Sequence, residues 1–491
     1  MSLRAASQVV CAGFPGTSAG DAPLAELKAL GIGAVVLFAR NATDAHQVAS
    51  LTADVHGALD DDVPALVAVD QEGGAVARLH DGVAPLPAMM ALGATRDAEL
   101  TRRAGRRVGR DLRRLGINTN LAPVADLAVD PRNTVIGTRS FGSDAELVSE
   151  LATAFASGLH DGGTIAVGKH FPGHGATHVD SHEALPTLDV DGDTWRARDL
   201  RPFARLAAGG IPAIMTGHVV LAAIDPSEPA TRSRAVLDVL RDELHFDGVV
   251  FSDCLEMRAL GVPPSESAPL AIAAGVDCVL ISHHLDAASE TIAGIERAVE
   301  RGALPLARLQ EAARRVRRLR ASVPAQEIGD RELADQDDAG IGSEIARRAI
   351  AVRRGSLELA LGAPVTVVSF EAEERPSLAS ALRRRGHKSE IMRVKIDPQS
   401  GDVDVLEMVL RGLGGRALAI MMRRAHLYPA QAAAIGRLLT VTPGAIVLSA
   451  REPYDADLFP QARNLACLYD DTEVTVNVLA DLMTRRSAHV C

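Results

Sequence analysis

The chain has 491 residues, with 52 Lys and Arg against 63 Asp and Glu, which gives a formal net charge of −11. This acidic excess is spread along the chain and excludes the basic patch expected of a nucleic-acid-binding protein. A composition of 47% hydrophobic and 23% charged residues excludes a disordered chain, and five scattered cysteines exclude a disulfide framework.

Short apolar segments alternate with helical stretches over roughly the first 320 residues. The eight candidate strands are Val9–Ala12, Ala34–Phe38, Ala65–Asp70, Asn118–Pro123, Ile165–His170, Ala213–Gly217, Gly248–Asp253 and Cys278–Ser282. The amphipathic stretches between them are predicted helices, such as Ala45–Leu59, Asp97–Leu115, Leu147–Leu159 and Ala287–Arg301. Eight alternating units favour a (β/α)8 barrel of the TIM type over an open sheet.

A second α/β pattern follows a polar segment rich in Asp, Glu, Gly and Gln. Its candidate strands are Val365–Phe370, Ala417–Met421, Ala445–Ser449 and Leu465–Leu468, again separated by helical stretches. We therefore predict a catalytic barrel over 1–324, a linker over 325–342 and a smaller layered α/β sandwich domain over 343–491.

Charged or imidazole side chains stand at the ends of several apolar barrel strands. Asp70 ends the third strand, Lys169 and His170 end the fifth, His218 follows the sixth, and Asp253 ends the seventh. Functional groups of such barrels lie at the C-terminal ends of the strands, and burying an unpaired charge costs several kcal/mol. A rim salt bridge would explain any single residue, whereas the convergence of all five predicts a functional site.

The segment 169–182, KHFPGHGATHVDSH, carries a histidine at every fourth position from His170. On a helix this stripe would form a metal site, but Pro172 and the glycines break any helix, so a loop is favoured. In a loop, Asp180 is able to bond one imidazole nitrogen of His182, fix its tautomer and raise its basicity. This pair predicts a general acid/base.

The segment 251–257, FSDCLEM, supplies a counterpart to that acid/base. A carboxylate at Asp253 facing a cationic rim stays ionised and is able to attack an acetal carbon. A nucleophilic carboxylate with a separate acid/base is the arrangement of retaining glycoside hydrolysis. Glu256 is expected at the start of the next helix, where an acid favours the helix dipole.

Two further clusters offer hydrogen-bonding groups for a sugar. In 69–79, VDQEGGAVARL, the glycine pair predicts a tight turn, Asp70 offers two acceptors for hydroxyl groups and Arg78 offers a donor fork. The phosphate-binding glycine patterns are absent from it. In 133–142, NTVIGTRSFG, Arg139 lies on a loop after the fourth strand, where a salt bridge is the alternative explanation.

Taken in order, VDQEGGAVARL, VIGTRSFG, KHFPGHGATHVDSH and FSDCLEM resemble glycoside hydrolase family 3. The likeness is greatest to its bacterial β-N-acetylglucosaminidase branch, the exo-acting enzymes of peptidoglycan turnover. The resemblance implies that Asp253 is the nucleophile, His182 the general acid/base and Asp180 its partner. Cys254 departs from the family, in which a second acid or an alanine commonly follows the nucleophile.

The same resemblance implies a binding site for an N-acetyl sugar. Its residues are Asp70, Arg78, Arg139, Lys169 and His170. His218 is added to this set from its position after the sixth strand. The expected activity is removal of terminal β-linked N-acetylglucosamine, from peptidoglycan fragments or chito-oligosaccharides, through a covalent glycosyl-enzyme intermediate.

Three alternatives remain open at this point. The same catalytic residues would serve a β-glucosidase, or a phosphorylase that acts on N-acetylglucosaminides or β-glucosides. A catalytically silent sugar-binding protein would keep the fold. Metal-dependent hydrolysis through the four histidines is the remaining possibility.

The resemblance implies that the partner is a small carbohydrate, and an aromatic content of 3% is too low for a long stacking groove. We expect no metal, organic cofactor, nucleic acid or membrane partner, and the sequence does not indicate an oligomeric state. No signal peptide or long apolar run is recognisable, so a cytoplasmic location is expected.

Overall fold

Eight parallel strands form the centre of the first structural unit. The computed structural model describes residues 3–18, 20, 23–177, 184–323, 338–412 and 414–484. The strands are β1 (Val10–Gly13), β2 (Ala34–Leu37), β3 (Leu66–Val69), β4 (Thr119–Asn120), β5 (Ile165–Phe171), β6 (Ala213–Thr216), β7 (Val249–Cys254) and β8 (Cys278–Ile281). Each pairs with its neighbour in the chain, and β8 pairs with β1, which closes the barrel. The predicted barrel is confirmed.

Helices accompany the strands in both units. In chain order, the helices are α1 (Leu3–Gln8), α2 (Leu24–Leu30), α3 (Ala45–Leu59), α4 (Met89–Thr95), α5 (Ala98–Arg114), α6 (Ala145–Asp161), α7 (Gly192–Ala197), α8 (Leu200–Ala208), α9 (Arg234–Asp238), α10 (Pro264–Ala274), α11 (Leu285–Glu300), α12 (Leu306–Ala321), α13 (Ile341–Ala349), α14 (Leu378–Arg384), α15 (Ser400–Gly412), α16 (Pro429–Val441) and α17 (Glu473–Thr484). The helices of the barrel are α1–α3 and α5–α12, and α4 and α13–α17 belong to the second unit. Three of the longer barrel helices, α3, α5 and α6, begin at aspartates. Asp44, Asp97 and Asp144 each accept a hydrogen bond from a backbone N–H of the first turn, which satisfies a donor that has no partner within the helix. Within the described part of the chain, no helix is both long and apolar enough to cross a membrane.

The fourth strand is shorter than the predicted Asn118–Pro123 because side chains replace part of its backbone pairing. The amide of Asn118 accepts from Val67 N at 2.9 Å and donates to Ala65 O at 2.7 Å. The amide of Asn120 pairs in the same way with the backbone of Gln71. Proline has no N–H to donate to a ladder, and beyond position 123 the pairing continues as an isolated parallel bridge between Val124 and Lys169.

The second unit contains a six-stranded mixed sheet with helices on its faces. Its strands are β9 (Ala351–Arg354), β10 (Val365–Glu371), β11 (Ser389–Lys395), β12 (Ala417–Met422), β13 (Ile446–Ser449) and β14 (Asn464–Cys467), in the order β9-β14-β13-β12-β10-β11. Strand β9 runs antiparallel to β14, and the other pairs are parallel. Apolar clusters on the two faces make the predicted sandwich.

The predicted four strands of this sheet are present, and the two edge strands were not predicted. Strand β9 contains no buried residue, and in β11 exposed and half-buried residues follow Ser389. An edge strand that faces water needs little apolar surface, so its sequence lacks the signal used to find the central strands.

The second unit also includes residues from the barrel half of the sequence. Contacts group Gly73–Ala75 and Pro85–Thr95 with Gly340–Cys491. Helix α4 packs against α13, and its Met89 and Leu92 are buried. The N–H of Ala88 donates to Asp470 Oδ1 at 3.1 Å. Most of the predicted linker, residues 325–337, lies outside the described residues.

A buried arginine ties helix α12 to the barrel. Arg320 has no exposed surface, and its guanidinium donates to Pro64 O at 2.9 Å, Val63 O at 3.0 Å and Asp61 Oδ1 at 3.1 Å. A Cβ placed on Gly33 would lie 2.3 Å from its Nη1, so a larger residue there would displace the guanidinium.

We expect Arg320→Met to lower the free energy of unfolding by about 3 kcal/mol, because it leaves buried carbonyl groups and a carboxylate without their donor. The measurement is the thermal unfolding midpoint. Arg318→Met is the control, since that side chain is 62% exposed and its ion pair with Asp247 is worth little. Equal midpoints for the two variants would contradict the structural role of Arg320.

Candidate active site

The end of β7 is irregular where it carries Asp253. Phe251 pairs with Cys278 and Cys254 pairs with Leu280, so three steps along β7 match two along β8. Such a bulge redirects a side chain at the rim of a sheet. The hydroxyl of Ser252 accepts from Leu280 N at 3.0 Å, which replaces a lost backbone bond beside the bulge.

The carboxylate of Asp253 is held in its ionised form. Burial alone would raise its pKa, but the electrostatic influence of the His170 ring, the N–H of Cys254, 2.7 Å from Oδ1, and the charge of Lys169 bring that pKa below its ordinary value. A carboxylate in this state is a competent nucleophile at neutral pH.

Strand β5 has a matching irregularity at Lys169 and His170. Gly168 pairs with Ile214 and Phe171 with Thr216, so again three steps match two. Both bulges occur at the end of a buried strand, where it carries charged or imidazole side chains at the rim of the barrel. The barrel thus presents its reactive groups at the two places where its register shifts.

A buried ion-pair network joins the ends of β3 and β5. Lys169 Nζ lies 2.6 Å from Asp70 Oδ1 and 2.7 Å from Glu72 Oε1. Arg139 donates to both oxygens of Glu72, at 2.8 and 2.9 Å. Burial favours the neutral form of Glu72, but these two cations outweigh it and hold its pKa well below the ordinary value. Burial likewise opposes the charge of Lys169, and the two carboxylates reverse this, so its pKa is raised.

A second network orients the imidazole of His170. Its Nδ1 lies 2.6 Å from Asp126 Oδ2, and its Nε2 lies 3.4 Å from Arg139 Nη2. The other oxygen of Asp126 accepts from His174 N at 2.6 Å. Burial raises the pKa of Asp126, and the electrostatic attraction and hydrogen bonds of the His170 ring and the N–H of His174 overcome that effect and lower it. Asp126 therefore fixes the Nδ1–H tautomer of His170.

One cavity of about 570 Å³ brings together three of the residues predicted to bind or attack a ligand. Asp70, Arg78 and Asp253 all line it. The Nε of Arg78 is buried and, among the described residues, has no hydrogen-bond partner. A buried donor without a partner is costly, so a polar ligand in the cavity would satisfy it.

The turn after β3 requires its two glycines. Gly73 and Gly74 have φ of +108° and +57°, and a Cβ on Gly74 would lie 2.7 Å from the Cα of Ala88. The predicted tight turn is therefore present, and both its conformation and its packing exclude a larger residue.

The histidine-rich loop is anchored over the part that the structure describes. The amide of Asn133 donates to His174 O and Thr177 O, both at 2.8 Å. The hydroxyl of Thr177 lies 2.8 Å from His174 Nδ1. His182 and Asp180, the predicted acid/base and its partner, lie outside the described residues.

Two predicted positions differ from their expected surroundings. His218 is fully buried, its Nε2 donates to Cys254 O at 2.9 Å and its Nδ1 lies 2.8 Å from Thr231 Oγ1. Burial lowers its pKa, so it is a neutral ring with both nitrogens engaged, rather than the expected direct contact to a ligand. Glu256 does not start a helix; it accepts N–H groups from the loop after β8.

Glu72 and Asp126 were not predicted as site residues. Asp126 follows the apolar stretch Leu121–Ala125, and an acid closing such a stretch is the same signal that identified Asp70. Glu72 lies inside the segment 69–79, but its role depends on Lys169 and Arg139, which arrive from other strands. Asp126 could therefore have been predicted by the rule that identified Asp70, whereas the role of Glu72 could not.

Comparison with known proteins identifies relatives of the barrel. The sequence pattern of the Glycosyl hydrolase family 3 N terminal domain matches residues 15–319. A beta-hexosaminidase from Nitrosomonas eutropha is 39% identical over 273 residues, which are 54% of this chain and 78% of that protein. A beta-hexosaminidase from Pseudomonas aeruginosa is 39% identical over 269 residues, with 54% and 80% covered.

A solved structure matches both units. It is a glycoside hydrolase family 3 beta-N-acetylglucosaminidase from Paenibacillus sp. str. FPU-7, with a TM-score of 0.89 and 34% identity. The match covers 98% of this chain and 96% of that one. A beta-glucoside phosphorylase, at a TM-score of 0.79 and 20% identity, shares the fold.

We expect Glu72→Gln to lower the free energy of unfolding by about 3–5 kcal/mol at pH 7, because two buried cations lose their shared anion. The pKa of Glu72 is depressed in the folded state, so its contribution is complete above the unfolded value of about 4.3 and is lost as the pH falls below it. The difference between wild type and variant should therefore shrink from pH 5 to pH 3.

Thermal unfolding midpoints over that pH range measure this difference. Glu243→Gln is the control, because that carboxylate is 44% exposed and pairs with Arg196 at the surface. A gap between wild type and Glu72→Gln that stays constant with pH would contradict the depressed pKa.

Proposed function

Because the chain belongs to glycosyl hydrolase family 3, we propose that Asp253 is its nucleophile and that the cavity beside it binds one terminal sugar. The chain is a glycosidase that removes terminal N-acetylglucosamine. The observation that carries the residue assignment is the cavity itself, in which an ionised Asp253 faces the same space as Asp70 and Arg78.

In the first step, a carboxylate oxygen of Asp253 attacks the anomeric carbon of the sugar. The bond from that carbon to the leaving oxygen breaks, and the protonated imidazole of His182 gives its proton to that oxygen. A covalent glycosyl-enzyme ester results, which is the intermediate of retaining hydrolysis. The role proposed for Asp180 is to stabilise the charged form of His182.

In the second step, neutral His182 takes a proton from water as that water attacks the anomeric carbon. The ester bond to Asp253 breaks, and the sugar leaves with the configuration that it had in the substrate. No oxidant, reductant or further reactant is required.

Sugar binding is assigned to groups that already have fixed positions. Asp70 accepts hydroxyl donors while Lys169 holds its other side, and Arg78 offers its unpaired Nε. Arg139 and His170, which Glu72 and Asp126 hold in place, are assigned to the same sugar site. We assign His218 as a positioning residue, because its Nε2 bonds to the carbonyl that follows the nucleophile.

We propose peptidoglycan fragments or chito-oligosaccharides as the natural substrates. The cavity has the size of a small-ligand pocket, and few aromatic residues are available for a longer binding groove. Exo-acting removal of one terminal sugar at a time requires no more than this.

Asp253→Asn should lower kcat by several orders of magnitude, because the amide is not a competent nucleophile. The measurement is release of p-nitrophenol from the N-acetyl-β-glucosaminide, beside the plain β-glucoside, with and without phosphate. Asp238→Asn, at an exposed ion pair on α9, is the matched control and should keep full activity. Near-wild-type turnover by Asp253→Asn would remove that residue from the nucleophile role, and a rate that rises with phosphate would indicate a phosphorylase.

His182→Ala should lower kcat/KM by about 10²–10⁴-fold for a substrate with a poor leaving group. The loss should be much smaller for a dinitrophenyl glycoside, because that leaving group departs without a proton. Asp180→Asn should show the same pattern with a smaller loss. An equal loss for both leaving groups would contradict the acid role of His182.

A further inference from the structure

Three side chains with metal-binding atoms converge in the wall of the catalytic cavity. Cys254, Glu256 and His283 all line it, and their donor atoms lie within 4.8 Å of one another. The Sγ of Cys254 is 3.5 Å from Glu256 Oε2. None of the three has a role in the hydrolysis as described above. We propose that they form a binding site for a thiophilic divalent cation of the Zn²⁺ type, open to the cavity on its remaining side.

The donor set suits that class of cation. Thiolate sulfur, imidazole nitrogen and carboxylate oxygen are the protein ligands of Zn²⁺, and three of them leave one tetrahedral position for water or an external ligand. A thiolate and a carboxylate together match the charge of a divalent cation, and the guanidinium of Arg40 faces the same two groups. Mg²⁺ and Ca²⁺ prefer oxygen ligands and fit this set poorly.

The protein holds the three ligands near their binding positions. Glu256 Oε2 accepts from Ser282 N at 2.6 Å and from His283 N at 2.8 Å, which joins the segment after β7 to the loop after β8. Cys254 is fixed by its pairing with Leu280. The ring of His283 stacks on Phe38 with centroids 6.0 Å apart. Supporting contacts of this kind orient the ligands of metal sites.

The cysteine differs from the other cysteines that the structure describes. Cys11, Cys278 and Cys467 are also buried, but among the described residues only Cys254 belongs to such a group of donors. Burial raises the pKa of the Cys254 thiol to about 12, so the empty site holds a neutral thiol. Cation binding forms the thiolate and releases its proton to solvent.

A cation in this position would act on the nucleophile. Cys254 follows Asp253 directly, so the bound charge would lie close to the attacking carboxylate and inside the space that admits the sugar. It would withdraw electron density from Asp253 and compete with the substrate. We therefore infer that Zn²⁺ reversibly inhibits the enzyme, a consequence that rests on the proposed role of Asp253.

Binding is tested first without activity, with Co²⁺ as the probe on the full chain. We expect one equivalent of Co²⁺ to produce the ultraviolet thiolate-to-cobalt absorption band. The band should disappear in Cys254→Ser and weaken at least tenfold in apparent affinity in His283→Ala. His284→Ala is the matched control, since it removes a neighbouring exposed histidine outside the group and should leave the band unchanged.

A wild-type chain without the band, or a Cys254→Ser variant that keeps it, would overturn the site. If Cys254→Ser does not fold, His283→Ala decides alone, because that side chain is exposed and its loss leaves the core intact. This spectral test is independent of turnover, so an inactive chain would contradict the proposed function and leave the cation site to be decided by the band.

Inhibition is then measured as the Zn²⁺ concentration that halves p-nitrophenol release. We expect it to rise at least tenfold in His283→Ala and to stay at the wild-type value in His284→Ala. Inhibition of equal strength in wild type and His283→Ala would assign the effect to another site, such as the histidine-rich segment 169–182, and would overturn the inhibitory role.

Discussion

The ammonium of Lys169 lies between the carboxylates of Asp70 and Glu72, and the rest of the rim depends on that contact. The buried charges of Lys169 and Glu72 are stable there only together, with the half-buried Asp70 beside them, because each alone would carry a large desolvation cost. Glu72 in turn holds Arg139, so the ends of β3 and β5 and the loop after β4 share one network. The polar face offered to the sugar is therefore a single charge-balanced unit rather than a set of independent residues.

The two bulges explain how such polar groups arise from apolar strands. In a regular strand, alternate side chains point into the barrel and out towards the helices. The extra residue in β5 and in β7 interrupts that alternation at Lys169, His170 and Asp253, so these side chains reach the rim. The cost is a lost ladder bond, which the hydroxyl of Ser252 partly replaces.

Sequence reasoning located the barrel strands and singled out the charged residues at their ends, because both leave local signals. Buried strands are short apolar runs, and a charge at the end of such a run is conspicuous. Some features leave no such signal, because each depends on residues from another segment of the chain. They are the edge strands β9 and β11, the side-chain pairing of Asn118 and the ion-pair partners of Lys169. His218 shows the same limit. Its position after the sixth strand could be predicted, but its hydrogen bonds to the carbonyl of Cys254 and the hydroxyl of Thr231 could not.

The grouping of α4 with the second unit has a consequence for synthesis on the ribosome. Met89 and Leu92 emerge early, but their partner helix α13 begins at Ile341, about 250 residues later. At a translation rate of about 5–20 residues per second, the apolar side chains of α4 stay without their partner helix for roughly 12–50 s. Throughout that interval the nascent chain exposes an aggregation-prone apolar segment. The rate of translation and the binding of chaperones then determine what fraction of the protein reaches the native state.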